Sequence, residues 1–91
     1  MAQQVIKKDG SRESFDPGKI RNAIRGAAAR VKIPQKRKNE IVEQVTSAVV
    51  QIVNSKDEVK TSEIRENILT ELDRVEPKIS KSWRDYEQKK R

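Results

Sequence analysis

The stretch Val5-Ile6-Lys7-Lys8-Asp9-Gly10-Ser11-Arg12-Glu13-Ser14-Phe15-Asp16-Pro17-Gly18-Lys19-Ile20 decides how the chain begins to fold. Asp9-Gly10 is a strong hairpin turn signal between two short runs that can pair as strands. A two-residue loop at Asp9-Gly10 would set Lys7 opposite Arg12 and split Val5 and Phe15 between the two faces. Like charges directly opposed are unfavourable. A three-residue loop, Lys8-Asp9-Gly10, with Gly10 as its left-handed residue, instead places Val5, Lys7, Glu13 and Phe15 on one face. That face has an apolar base and one charge of each sign near the turn, and this register is the one expected. Asp16-Pro17 then opens a helix, with Asp as N-cap and Pro at the first helical position.

Working outward, hydrophobic spacing defines the remaining elements. Ile20, Ala23, Ile24, Ala27 and Ala28 recur at three and four, so one narrow face of the first helix is buried. Gly26 and the neighbouring alanines suggest close approach of another helix. Val31-Lys32-Ile33-Pro34 breaks the pattern. A longer helix follows with the stripe Ile41, Val42, Val45, Ala48, Val49 and Ile52. After a polar loop, Val59-Lys60 reads as a short extended piece, and Thr61 as the cap of a third helix with Ile64, Ile68, Leu69 and Leu72 inward. Pro77 starts a fourth helix carrying Ile79, Trp83 and Tyr86, and the terminal Glu87 to Arg91 is expected to fray. The layout is mainly α with a small β-hairpin. One domain is expected over residues 1–91, with the hairpin at about 4–15 and helices at about 17–30, 35–53, 62–73 and 77–88.

Composition bounds the chemistry. The 91 residues contain no Cys and no His. Disulfides, zinc ribbons, thiol nucleophiles and Ser–His–Asp triads are therefore excluded, and no metal site is expected. No apolar run approaches the roughly 20 residues of a membrane span. A non-enzymatic, soluble, cytoplasmic protein is the expectation. Gly18-Lys19 resembles the end of a phosphate-binding P-loop, but Ile20 stands where that motif needs Ser or Thr.

The formal charge is +7 and unevenly spread: residues 1–39 hold 11 Lys/Arg against three Asp/Glu, whereas residues 40–91 hold ten against 11. Arg21, Arg25, Arg30, Lys32, Lys36, Arg37 and Lys38 form an acid-free run. It reads either as a solvated surface or as a nucleic-acid backbone contact.

A second cluster suits a nucleotide. Lys7 and Lys19 are compact charges fit for phosphate oxygens. Glu13 can accept from an exocyclic amine or a ribose hydroxyl, and Thr61 places a hydroxyl at a helix start, where phosphates are favoured. Val5, Phe15, Ile20 and Ile64 can line an apolar slot for a base, although their spacing equally fits core packing.

The opening string resembles the signature of the ATP-cone domain, and Lys60-Thr61-Ser62-Glu63-Ile64-Arg65 resembles that family's threonine–acid–isoleucine helix start. The resemblance covers about residues 4–88 and implies a hairpin cap over a four-helix bundle. It also implies ATP or dATP as ligand, magnesium with it, and a regulatory role. Such cones occur in ribonucleotide reductase large subunits and, behind a zinc ribbon, in the bacterial repressor of reductase genes. By position, Val5, Lys7, Lys8, Glu13, Phe15, Lys19, Ile20, Thr61, Ile64 and Arg65 are the implied nucleotide contacts. Arg65 stands where some reductase cones have His. Lys89, Lys90 or Arg91 would supply the family's late basic contact. A cone without Cys resembles a free-standing one, acting through a homo-oligomer or a regulated partner protein. The alternative is a basic helical DNA- or RNA-binding protein, itself open to nucleotide control.

Overall fold

The computed structural model describes residues 4–89. The elements run β1 (Gln4–Ile6), β2 (Arg12–Ser14), α1 (Pro17–Ala29), α2 (Gln35–Asn54), β3 (Glu58–Lys60), α3 (Thr61–Val75) and α4 (Pro77–Lys89). Helix ends fall within two residues of those expected.

β1 and β2 pair antiparallel, with Val5 opposite Glu13 and Ile6 opposite Arg12. The Lys7 N–H donates to the Ser11 carbonyl at 2.9 Å and the Gly10 N–H to the Lys7 carbonyl at 3.0 Å, closing the three-residue loop. Gly10, at φ 86°, is its left-handed residue. The Asp9 carboxylate accepts from the Ser11 N–H at 2.9 Å and its hydroxyl at 2.6 Å, fixing the turn from within. The extended piece at Val59-Lys60 is a full strand. It runs parallel to β1, with Val5 beside Val59, in a sheet of order β2-β1-β3. An Arg12–Glu58 ion pair links the two outer strands.

Asp16 caps α1, its carboxylate accepting from the Gly18 N–H at 2.9 Å, with Pro17 in the first turn. α1 packs on α2 and α4, and α3 on α2 and α4, so the helices close a ring around one core. Ile24, Ile41, Val45, Val49, Leu72 and Ile79 are fully enclosed there, with Val5 and Val59 of the sheet joining from one end.

Three expectations are corrected. Ala23 is exposed and a Cβ built on Gly26 meets nothing within 4 Å, so no helix lies over these two positions; α4 comes close at Ala27, whose carbonyl accepts from the Ser82 hydroxyl at 2.9 Å. On α2, Thr46 and Val53 are buried, whereas Ala48 and Ile52 lie half-buried at the stripe's margin. On α4, Ile79 and Ser80 are enclosed, Trp83 is half-buried against the core and Tyr86 is 42% exposed. α4 also continues through Glu87 to Lys89 instead of fraying, because Glu87 is anchored to α3. Lys90 and Arg91 lie outside the described residues.

Candidate nucleotide site

The hairpin register decides what the sheet can present to a ligand. With Val5 opposite Glu13, the diagonal neighbour Lys7 reaches the Glu13 carboxylate at 3.3 Å. Lys19, one turn into α1, reaches the same oxygen, Oε2, at 3.2 Å. Two ammonium groups from different elements thus converge on one carboxylate. Lys19, then Lys7, hold the Glu13 carboxyl below the usual range. Both lysines are largely solvent-exposed, so the cluster is hydrated and open to an incoming anion.

Beside this triad is a cavity of about 220 Å³. Its wall takes Val5, Glu13 and Phe15 from the hairpin, Lys19, Ile20 and Ala23 from α1, Thr61, Ile64, Arg65 and Ile68 from α3, and Trp83 from α4. Eight of the ten candidate nucleotide residues therefore meet in one place. The ninth, Lys7, joins through Glu13. Lys8 is exposed in the turn and does not line the cavity. Val5, Ile20 and Ile64 satisfy both readings of their spacing: they are buried in the core cluster and turn one edge to the cavity.

Two α3 residues differ from expectation. Lys60, not Thr61, is the N-cap, and Thr61 is the first helical residue. The Thr61 hydroxyl donates to the Ile6 carbonyl at 3.0 Å, tying α3 to β1. A lysine cap offers no acceptor, so only the returning half of a capping box forms: Glu63 accepts from the Lys60 N–H at 3.2 Å. Arg65 is not a free cation. Its guanidinium makes a two-pronged pair with Glu87 at 2.8 and 2.6 Å. Glu87 was missed in the sequence because its partner lies 22 residues away on another helix. Trp83, not among the candidate contacts, forms a wall of the cavity.

The residues of the acid-free run have different surroundings. Arg21 is paired with Glu43 at 2.8 Å, and Arg25 and Lys38 line a separate recess. Arg30 lies 4.2 Å over the Tyr86 ring. Lys32, Lys36 and Arg37 point into solvent. No helix of the described residues is long and apolar enough to cross a membrane.

The family model for the ATP cone domain matches residues 3–91. The chain belongs to the ATP-cone family. Similar curated proteins include the transcriptional repressor NrdR of Microcystis aeruginosa, 43% identical over 68 residues, which cover 75% of the cone and 39% of that protein. NrdR of Caldicellulosiruptor saccharolyticus is 36% identical over 73 residues, 79% of the cone and 46% of that protein. The cone thus spans less than half the length of these relatives.

Two ionic ties fasten α4 to α3. Arg65 holds the Glu87 carboxyl down to about 2. Arg84, helped by the Ser80 hydroxyl, holds Asp73 at about 2. Both values lie below those of the free carboxyls, so each tie stabilises the fold above pH ~4 and is lost as pH falls towards ~2. The side chains are more than a third exposed, and solvent screening keeps the contribution modest. Urea midpoints between pH 5 and 2 (roughly that window) should drop more steeply for the wild-type cone than for a Glu87→Gln/Asp73→Asn variant. Parallel curves would show that the ties do not support the fold.

Proposed function

We propose that this cone is a non-catalytic regulatory module that binds ATP or dATP at the cavity under the hairpin. The observation that carries the reading is the convergence of Lys7 and Lys19 on Glu13 at the edge of an apolar recess. The recess, at about 220 Å³, is smaller than the roughly 300–1,000 Å³ of ordinary small-molecule pockets. It suits a base, with the sugar and phosphates left outside where the lysines stand. Phosphates entering there take Lys7 and Lys19 from Glu13. The Glu13 carboxylate then accepts from the base amine or a ribose hydroxyl. Phe15, Ile20 and Ile64 cover the faces of the base. Thr61, engaged with Ile6, positions the start of α3, and Lys8 stays peripheral.

Magnesium would arrive with the triphosphate, since no group of three or more acidic side chains among the described residues is placed to hold an ion. The named function of the relatives, transcriptional repression, supports a role in which nucleotide occupancy sets the state of a regulator or of a partner protein.

One titration tests the reading. ATP, dATP, ADP and GTP are added to isotopically labelled cone, with and without magnesium. Saturable binding of ATP or dATP, weaker for GTP, with shift changes confined to residues 5–20 and 61–65, is expected. Equal weak binding of all four nucleotides, scattered over the basic surface, would reject it.

A further inference from the structure

A second, larger groove of about 600 Å³ lies between α1 and α4, next to the nucleotide cavity, with which it shares Ala23 and Trp83. Ala23, Gly26 and Ala27 form its floor, and Trp83 and Tyr86 its aromatic side. Nothing inside the protein needs the space over Gly26, because a side chain there would meet no atom within 4 Å. At the end of α1 this groove opens into a neighbouring one of about 310 Å³, and the two share Arg30 and Tyr86.

The neighbouring groove is electropositive. Arg30, Lys78, Lys81 and Lys89 line it against a single carboxylate, Asp85. Asp85 is taken by Lys81 at 3.1 Å. Lys78, Lys89 and Arg30 have no acidic partner among the described residues, and Arg30 stands over the Tyr86 ring. From Lys78 to Lys89 the cations follow α4 for about 16 Å, the axial length of roughly five nucleotides. A line of that length fits a polyanion better than a single small anion. A second copy of the chain would meet it with the same positive charge. An acidic peptide could use the cations but has no general need of the aromatic groove beside them.

We propose that this continuous surface binds single-stranded nucleic acid, with phosphates along Lys78, Lys81, Lys89 and Arg30 and a base against the Trp83–Tyr86 side. Basic tracks flanked by exposed aromatics are how single strands are held without sequence preference. A duplex keeps its bases stacked inside and would use only the cations. The surface takes up the nucleic-acid alternative drawn from the sequence and moves it from the run after Arg21 to α4. It does not depend on the adenine-nucleotide reading.

The test uses the whole chain, first saturated with ATP, because Trp83 also borders the nucleotide cavity. Labelled single strands of about twelve nucleotides, DNA and RNA, are titrated by fluorescence anisotropy, alongside the duplex of the same sequence and polyglutamate. Trp83, the sole tryptophan, reports stacking by quenching. Single strands should quench it and bind with an affinity that falls about 20- to 50-fold between 50 and 200 mM salt, the dependence for three or four phosphate contacts. Lys78→Glu/Lys81→Glu should lose ~10-fold or more in strand affinity with no change in ATP affinity, both residues being exposed and outside the nucleotide cavity. Equal or tighter binding of the duplex overturns the proposal. So does polyglutamate competing as well as the strand, or a charge-reversed variant that binds normally.

Discussion

Lys7→Ala should weaken ATP binding by about 10- to 150-fold while leaving adenosine binding within about twofold. The first figure follows from a hydrogen bond to a charged group, worth roughly 1.5–3 kcal/mol. The second follows from where Lys7 stands: it touches Glu13 but does not line the apolar recess. Lys19→Ala should behave similarly, with a somewhat larger effect on adenosine, because Lys19 is part of the recess wall. The two losses should not add. Both ammonium groups share one oxygen of Glu13, and deleting either tightens the hold of that carboxylate on the other. Calorimetry of the two single variants and the double variant measures this coupling directly. Unchanged ATP affinity in both single variants would remove the phosphate site from the hairpin face.

Ile24→Ala should destabilise the cone by about 3 kcal/mol, within the 2–5 kcal/mol typical of such core truncations. Ile24 has no solvent exposure and lies in α1, which packs on both α2 and α4. Against the ~5–14 kcal/mol expected for a chain of this length, that is a severe loss. It should lower Tm by roughly 12–24 °C. Two residues on, the same helix should respond in the opposite sense. Gly26→Ala restores helix propensity at a position open to solvent, and a gain of up to ~1 kcal/mol is expected. Thermal unfolding followed by circular dichroism reads both changes. A destabilised Gly26→Ala variant would mean that the groove floor is packed against something in solution.

The contrast between Ile24 and Gly26 shows what could be read from the chain and what could not. Periodicity locates an apolar or small face, but not whether another element covers it. Ile20, Ile24, Ala27 and Ala28 are covered, whereas Ala23, on the same stripe, is exposed. The hairpin was legible down to its register because a local turn residue, Gly10, and a local charge conflict fixed it. Nine of the ten candidate nucleotide residues are gathered at the hairpin face, eight in the cavity wall and Lys7 through Glu13. The string that names them is mostly contiguous. β3 was only half legible, since three residues carry little propensity and their partner strand lies far back in the chain. The pairing of Arg65 with Glu87, and the gathering of Lys78, Lys81 and Lys89 around Arg30, depend on how α4 is rotated against its neighbours. No spacing within one helix reports that rotation.

The central position of β1 has a kinetic consequence. Its antiparallel partner is the next strand in the chain, but its parallel partner, β3, pairs Gln4 with Glu58, across the whole of α1 and α2. A contact of that sequence separation is slow to form, because the loop it closes costs entropy before any pairing is gained. The helices and the hairpin can therefore assemble first, with the β1–β3 seam closing last and opening most readily in the native state. Val5, from β1, and Thr61, immediately after β3, both border the nucleotide cavity, so its integrity follows that seam. A ligand bound there selects the closed seam, so the exchange of the amide protons of β1 and β3 slows with occupancy and serves as a clock for it.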